Sequence, residues 1–136
     1  MIDHLLVPMD DSEPARTALE YALSVFPEAE ITVLHAVDDL ESTYGGRPPA
    51  VAGPDDEDEE LAFFDDVREL ADDDRPVETI VVEGTAADAI LEYAEAEAVD
   101  GIVMGSEGRS GVSRVLLGSV AEAVTRRASV PVTIVP

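Results

Sequence analysis

The sequence predicts an α/β fold: a single-domain, five-stranded parallel sheet with helices on both faces. Three observations carry this. Five short apolar or β-branched runs punctuate the chain, at His4–Met9, Ile31–Val37, Val77–Glu83, Gly101–Met104 and Val130–Val135. The stretches between them repeat their apolar residues at the spacing of a helix face. The two kinds of segment alternate throughout, and strands joined by helical crossovers run parallel and are buried on both faces. Right-handed crossovers put ligand sites outside the strand C-termini, where the strand order reverses.

The first strand ends at Asp10-Asp11-Ser12. Asp11 or Ser12 can cap the helix that follows, Glu13 suits its dipole, and Pro14 is tolerated in its first turn. Ala15, Ala18, Leu19, Ala22, Leu23 and Phe26 form its inner stripe, and Pro27 stops it. After the second strand, Asp38 to Pro54 carries Gly45-Gly46, Pro48-Pro49 and Gly53-Pro54, which predicts a long loop of the kind that often serves function. The acidic run Asp55 to Glu60 reads as a solvated helix start. Leu61, Phe64, Val67 and Leu70 or Ala71 continue as an amphipathic second helix, closed by Asp72 to Pro76. Beyond the third strand and Gly84, Thr85-Ala86-Ala87-Asp88 resembles a capping box. Ala87, Ile90, Leu91, Ala94 and Ala98 make the stripe of a third helix. A fourth helix spans Ser119 to Ala128, before the last strand.

Composition narrows the function. The 136 residues form one domain, 1–136, able to bury about two-thirds of its unfolded surface. The chain has 31 acidic residues against eight basic ones, all arginine, for a formal charge of −23. Such a surface repels nucleic acid and anionic membranes. It reads as adaptation to the salt-rich cytoplasm of a halophilic organism, because salt screens self-repulsion. A hydrophobic content of 46% argues against disorder. No apolar run approaches the ~20 residues of a membrane span. The first residues hold no basic or apolar leader, so a cytoplasmic location is expected. Without cysteine there is no thiol catalysis or zinc–thiolate site. Without lysine there is no P-loop, and the first strand is not followed by GxGxxG. No nucleophile elbow is present.

The chemistry concentrates in Gly105 to Ser119, GSEGRSGVSRVLLGS. This is a glycine-bearing loop between a strand and a helix N-terminus. Free N–H groups and about half a positive charge there favour an anion, and glycine lets the backbone approach it. Arg109 and Arg114 lie in the loop of a chain with few cations, which favours an anion role for both. Arg126 and Arg127 complement the dipole at the far end of the helix. Ser119 with Glu122 matches a capping box, and a capping hydroxyl faces the same anion site. Asp10 stands at a strand end, where either a cap or a ligand contact is served. His4 and His35 read as partly buried strand residues rather than metal ligands or bases, Glu83 and Asp88 as a strand end and a cap, and Met104 as core.

The spacing Gly105-x-x-Gly108, nine residues, Gly118-Ser119 resembles the nucleotide-binding motif of the universal stress protein family. The likeness extends through Leu5-Leu6-Val7-Pro8-Met9-Asp10, Leu34-His35-Ala36-Val37, Val81-Val82-Glu83-Gly84, Ile102-Val103-Met104-Gly105-Ser106 and Pro131-Val132-Thr133-Ile134-Val135. It covers essentially the whole chain. The resemblance implies a Rossmann-like sheet in strand order 3-2-1-4-5, ATP binding, and homodimers joined through the last strand, Val132–Val135. Carried over by position, Pro8, Met9 and Asp10 would border adenine and ribose, with Asp10 the polar contact. Ala36 would lie against the base. Gly105, Gly108, Arg109, Gly118, Ser119 and Val120 would surround the phosphates. Two positions depart from the family. Glu107 stands where histidine is frequent, and its carboxylate repels a triphosphate unless it turns outward or Mg²⁺ bridges the two. Ala36 replaces a larger aliphatic residue, which loosens the base pocket.

Three functions follow as expectations. The first is a homodimeric ATP-binding switch or sensor of the stress response, with an unspecified protein partner. The second is an interaction module whose site Glu107 has closed. The third is a slow ATP hydrolase or transferase, for which no general base is evident.

Overall fold

The computed structural model describes residues 3–10, 13–37, 65, 67–71, 77–106 and 118–136. In chain order the elements are β1 (His4–Pro8), α1 (Glu13–Val25), β2 (Glu30–Val37), helical residues 65 and 67–70 (α2), β3 (Glu78–Glu83), α3 (Ala86–Ala96), β4 (Gly101–Gly105), α4 (Ser119–Arg127) and β5 (Val132–Val135). The strands form one sheet in the order β3-β2-β1-β4-β5, and all neighbours are parallel. The α/β class, the five strands and their order are as expected from the sequence.

Strand periodicity explains why the apolar runs are continuous. Alternate side chains point to opposite faces, and each face is roofed by helices. Leu5, Val7, Met9, Ile31 and Val33 pack with Ala15, Ala18, Leu19 and Ala22 of α1 and with Val67. Leu6, Leu34, Ile102 and Met104 pack on the other face with Ala89, Ile90 and Ala94 of α3 and Ala121 and Val124 of α4. Met104 is therefore core. Thr32 is the one fully buried polar side chain among the described core residues, and its hydroxyl meets His4 Nε2 at 2.9 Å. His4 is thus a half-buried strand residue held by a hydroxyl.

The N-terminal edge of the sheet is latched by Asp100. Its Oδ2 accepts the N–H groups of Asp3 at 2.8 Å and His4 at 2.9 Å, and these donors hold the carboxyl below the ordinary carboxylate range. The Asp100 N–H in turn donates to the His4 carbonyl.

Two local expectations need correction. Thr85 occupies the N-cap of α3, but its hydroxyl donates to Asp88 Oδ2 at 2.9 Å and makes no capping bond. Arg127 binds the other oxygen of Asp88 at 2.9 Å. Arg127 first, and Thr85 second, lower the Asp88 pKa. The carboxylate has captured the hydroxyl that a capping box would turn to the backbone.

The second correction is Ala98, which lies outside α3 rather than on its inner stripe. It is exposed with φ 50°. The Ala98 N–H donates to the Glu95 carbonyl and the Val99 N–H to the Ala94 carbonyl, the two bonds of a Schellman ending. Alanine pays a steric cost in this left-handed conformation that glycine does not. Ala98→Gly is expected to stabilise the protein by about 0.5–1 kcal/mol, after allowing for the freer unfolded chain. Chemical denaturation in molar salt checks this through the midpoint.

Candidate functional site

The strand order reverses between β1 and β4, so the crevice outside their C-terminal ends is the place to look for a site. Its opening has a cause in the backbone. The β1–β2 register runs to Pro8↔Leu34 and the β4–β5 register to Gly105↔Val135. The β1–β4 register covers only Leu5↔Gly101 and Leu6↔Ile102. Even-numbered residues of β1 turn their polar groups towards β4, as the bond from the Asp100 N–H to the His4 carbonyl shows. Pro8 is next in that series beyond Leu6, and proline has no N–H to donate. The ladder therefore lacks a donor where the two strands part.

On the β1 side, Pro8 and Met9 are buried and Asp10 is half-buried. The Met9 side chain is 5% exposed and belongs to the core beneath α1. What Met9 presents at the strand end is its peptide, and both polar groups of Met9 are held by β2. Its N–H donates to the Leu34 carbonyl at 2.9 Å, and its carbonyl accepts from His35 Nδ1 at 3.0 Å. Ala36 sits beside this junction on β2, half-buried against the α3–α4 core.

On the β4 side, Gly105 closes the strand. A Cβ there would lie 2.8 Å from the Pro14 carbonyl carbon and Pro14 Cβ, and 2.9 Å from the Pro14 oxygen. The start of α1 thus packs directly on the end of β4, and only glycine fits between them. Gly105→Ala must displace the first turn of α1. It is expected to cost about 1–3 kcal/mol, the range for overpacking a fitted contact. A thermal melt in molar KCl should show the midpoint lowered by several degrees.

The start of α4 is pinned to the same edge. Ser106 donates its N–H to the Val135 carbonyl at 3.0 Å and accepts the Gly118 N–H at 2.7 Å. Gly118 is the N-cap of α4, with φ −63° and ψ 160°, and no side chain makes a capping bond. The expected Ser119–Glu122 capping box does not form. Ser119 is the first helical residue, and Glu122 instead pairs with Arg126 at 2.7 Å. The first helical bond runs from the Glu122 N–H to the Gly118 carbonyl. The N–H groups of Ser119, Val120 and Ala121 precede that bond and, with the exposed Ser119 hydroxyl, make up the donor set at this end.

Eight of the ten site residues expected from the sequence are described, and they fall on the two sides of the crevice. Pro8, Met9, Asp10 and Ala36 lie on the β1–β2 side, and Gly105, Gly118, Ser119 and Val120 on the β4–α4 side. Gly108 and Arg109 lie outside the described residues, as do Asp11, Ser12, Glu107, Arg114, the Asp38–Pro54 loop, the Asp55–Glu60 run, Leu61, Phe64 and the segment 72–76. The tie from His35 to Met9 and the part of Ser106 were not foreseen. No spacing in the chain marks either, because both are long-range contacts. Among the described residues no group of three or more histidine, aspartate or glutamate side chains is placed to hold a metal, and no helix is long and apolar enough to cross a membrane.

Comparison with known proteins agrees with this architecture. The protein MJ0531 of Methanocaldococcus jannaschii, a universal stress protein, is 32% identical over 138 residues, covering 96% of this chain and 80% of the relative. The solved structure of MJ0577, another universal stress protein of that organism, superposes with a TM-score of 0.83 at 31% identity, covering 99% of this chain and 96% of that one. Two more distant structures share the fold. A universal stress protein in complex with cAMP has a TM-score of 0.66 at 24% identity, over 98% of this chain and 96% of the other. One from Archaeoglobus fulgidus in complex with dAMP has a TM-score of 0.66 at 18% identity, over 100% and 98%. The Universal stress protein family matches residues 1–136. With a parallel sheet in the order 3-2-1-4-5 and a match from end to end, this chain belongs to the universal stress protein family.

Proposed function

We propose that this chain binds an adenine nucleotide, ATP, in the crevice between β1 and β4, and works as a homodimeric switch or sensor in a stress response. The observation that carries the reading is the facing of two unlike walls across the parted ladder. One carries the half-buried Asp10 and the small apolar Ala36. The other offers the start of α4, held in place by the Gly118–Ser106 bond. A nucleotide needs that combination: an apolar rest for the base, an acceptor for ribose hydroxyls, and N–H donors for phosphate. Family members solved with cAMP and dAMP support the ligand class.

In this reading Asp10 accepts from the ribose, and Ser119 and Val120 donate to phosphate. Gly108 and Arg109 complete the phosphate side, and Mg²⁺ offsets Glu107. A second copy of the chain adds to β5, an edge strand that pairs with β4 and leaves Val132, Thr133 and Ile134 half-exposed. The protein resides in the cytoplasm of a halophile and contacts neither nucleic acid nor membrane. Catalysis is not its main task in this reading, since no general base is evident among the described residues of the crevice walls. Glu107 favours one rival, an interaction module with a closed site.

Calorimetric titration of ATP, AMP and cAMP in molar KCl, with and without Mg²⁺, tests the proposal. Saturable ATP binding is the expected result. A folded dimer that binds none of the three would leave the interaction module as the better reading.

A further inference from the structure

We infer that His35 is a positioning residue for the crevice: its ring holds the Met9 carbonyl and thereby directs the chain at Asp10. The inference rests on the nucleotide reading for its functional half.

β1 ends at Pro8, yet the Met9 N–H still reaches the Leu34 carbonyl at 2.9 Å. In a continued parallel ladder the Met9 carbonyl would accept next from the Ala36 N–H. Here it accepts from His35 Nδ1 at 3.0 Å. A carbonyl oxygen only accepts, so the ring carries a proton on Nδ1. The side chain has replaced a backbone donor at the point where the strand leaves the sheet. Met9 is thus held through its N–H, its carbonyl and its buried side chain. The next residue is Asp10, which begins on the peptide whose carbonyl His35 holds. The imidazole acts on the site through Met9, whose carbonyl it holds.

The geometry distinguishes substitutes by donor position. An asparagine amide can place its N–H₂ close to where Nδ1 stands. A glutamine amide reaches one bond further, and leucine has no donor. ATP titration in molar KCl is therefore run on the wild type, His35→Asn, His35→Gln and His35→Leu, each shown to be folded by its thermal melt. Loss of the bond should weaken ATP binding about 5- to 10-fold in the Leu and Gln proteins, with Asn within about threefold of wild type. A folded Leu protein that binds as tightly as wild type overturns the inference. So does an Asn protein that loses as much as Leu, which would mark the ring as packing alone.

A second measurement does not need the nucleotide. The Asp10 amide shares a peptide with the Met9 carbonyl, so its ¹⁵N resonance reports the bond. It should move in the Leu protein and stay near its wild-type position in the Asn protein. An unmoved Asp10 resonance in the Leu protein overturns the inference whatever binds. A wild type that shows the expected resonance pattern but binds no nucleotide overturns the functional reading instead, and with it the ligand half of this proposal.

Discussion

Gly118→Val protein in molar KCl is expected to unfold cooperatively near the wild-type temperature and to show no saturable binding of ATP. The first half follows from the backbone. At φ −63° and ψ 160° Gly118 has a conformation open to any L residue, and valine favours extended angles. Its N–H would still donate to the Ser106 carbonyl, and α4 would still begin at Ser119. A poorer N-cap costs at most about 1 kcal/mol, a few degrees in a domain of this size. The second half follows from position. A branched side chain at the N-cap stands where an anion must approach the Ser119, Val120 and Ala121 N–H groups. Excluding phosphate there should weaken binding at least about 100-fold, or roughly 2.7 kcal/mol. Calorimetry on wild type and variant side by side decides the matter, with the melt as control for folding. Tight binding by the variant would falsify the placement of phosphate at α4.

Transfer from molar to ~20 mM KCl is expected to unfold the protein, and restoring KCl to refold it. The driving force is the formal charge of −23. Spread over a compact sphere about 18 Å in radius, that charge repels itself by something on the order of 30 kcal/mol in dilute buffer. The expanded chain, roughly 40 Å in size, feels about a quarter of this. At molar salt screening reduces the folded value to about 9 kcal/mol. The part of the folded-minus-expanded difference that salt removes is about 15 kcal/mol, at the top of the 5–15 kcal/mol that holds a typical domain together. Ion pairs offset little of it, since the described pairs of Arg68, Arg126 and Arg127 are solvent-exposed. Circular dichroism across a KCl series, repeated with NaCl, reads the transition. A melting temperature unchanged between 0.02 and 2 M salt would rule the argument out.

The sheet was legible in the sequence for a physical reason. Leu5-Leu6-Val7 is apolar without alternation because its neighbours face two different helical roofs, and the same holds for Ile102 to Met104 and, but for the buried Thr32, for Ile31 to Leu34. That pattern marks a buried parallel strand, and each observed strand begins or ends within two residues of its run. The helix ends were less legible, because they are settled by contacts the local pattern does not contain. Ser119-x-x-Glu122 points to a serine cap, but the bond across to Ser106 puts Gly118 in that place. Ala98 continues an apolar stripe, yet the chain turns left-handed there without the glycine that usually signals it. Gly105 reads as a phosphate glycine, while the structure gives it a steric duty against Pro14 whatever binds nearby. The parting of β1 from β4 was in principle visible as Pro8, but its meaning depends on which neighbour the missing N–H would have faced.

The short bond between the Gly118 N–H and the Ser106 carbonyl also bears on how this protein can change over time. It ties together the two ends of segment 107–117, so the start of α4 has a direct backbone tie to the end of β4 that does not run through that segment. Once the ends are fixed, doubling the length of a flexible connection costs only about 0.6 kcal/mol. Insertions, deletions and wholesale exchange of 107–117 should therefore be cheap for folding, and on the proposed nucleotide reading they would change what the crevice accepts. Selection can vary ligand preference there as a cassette, on a sheet that stays the same.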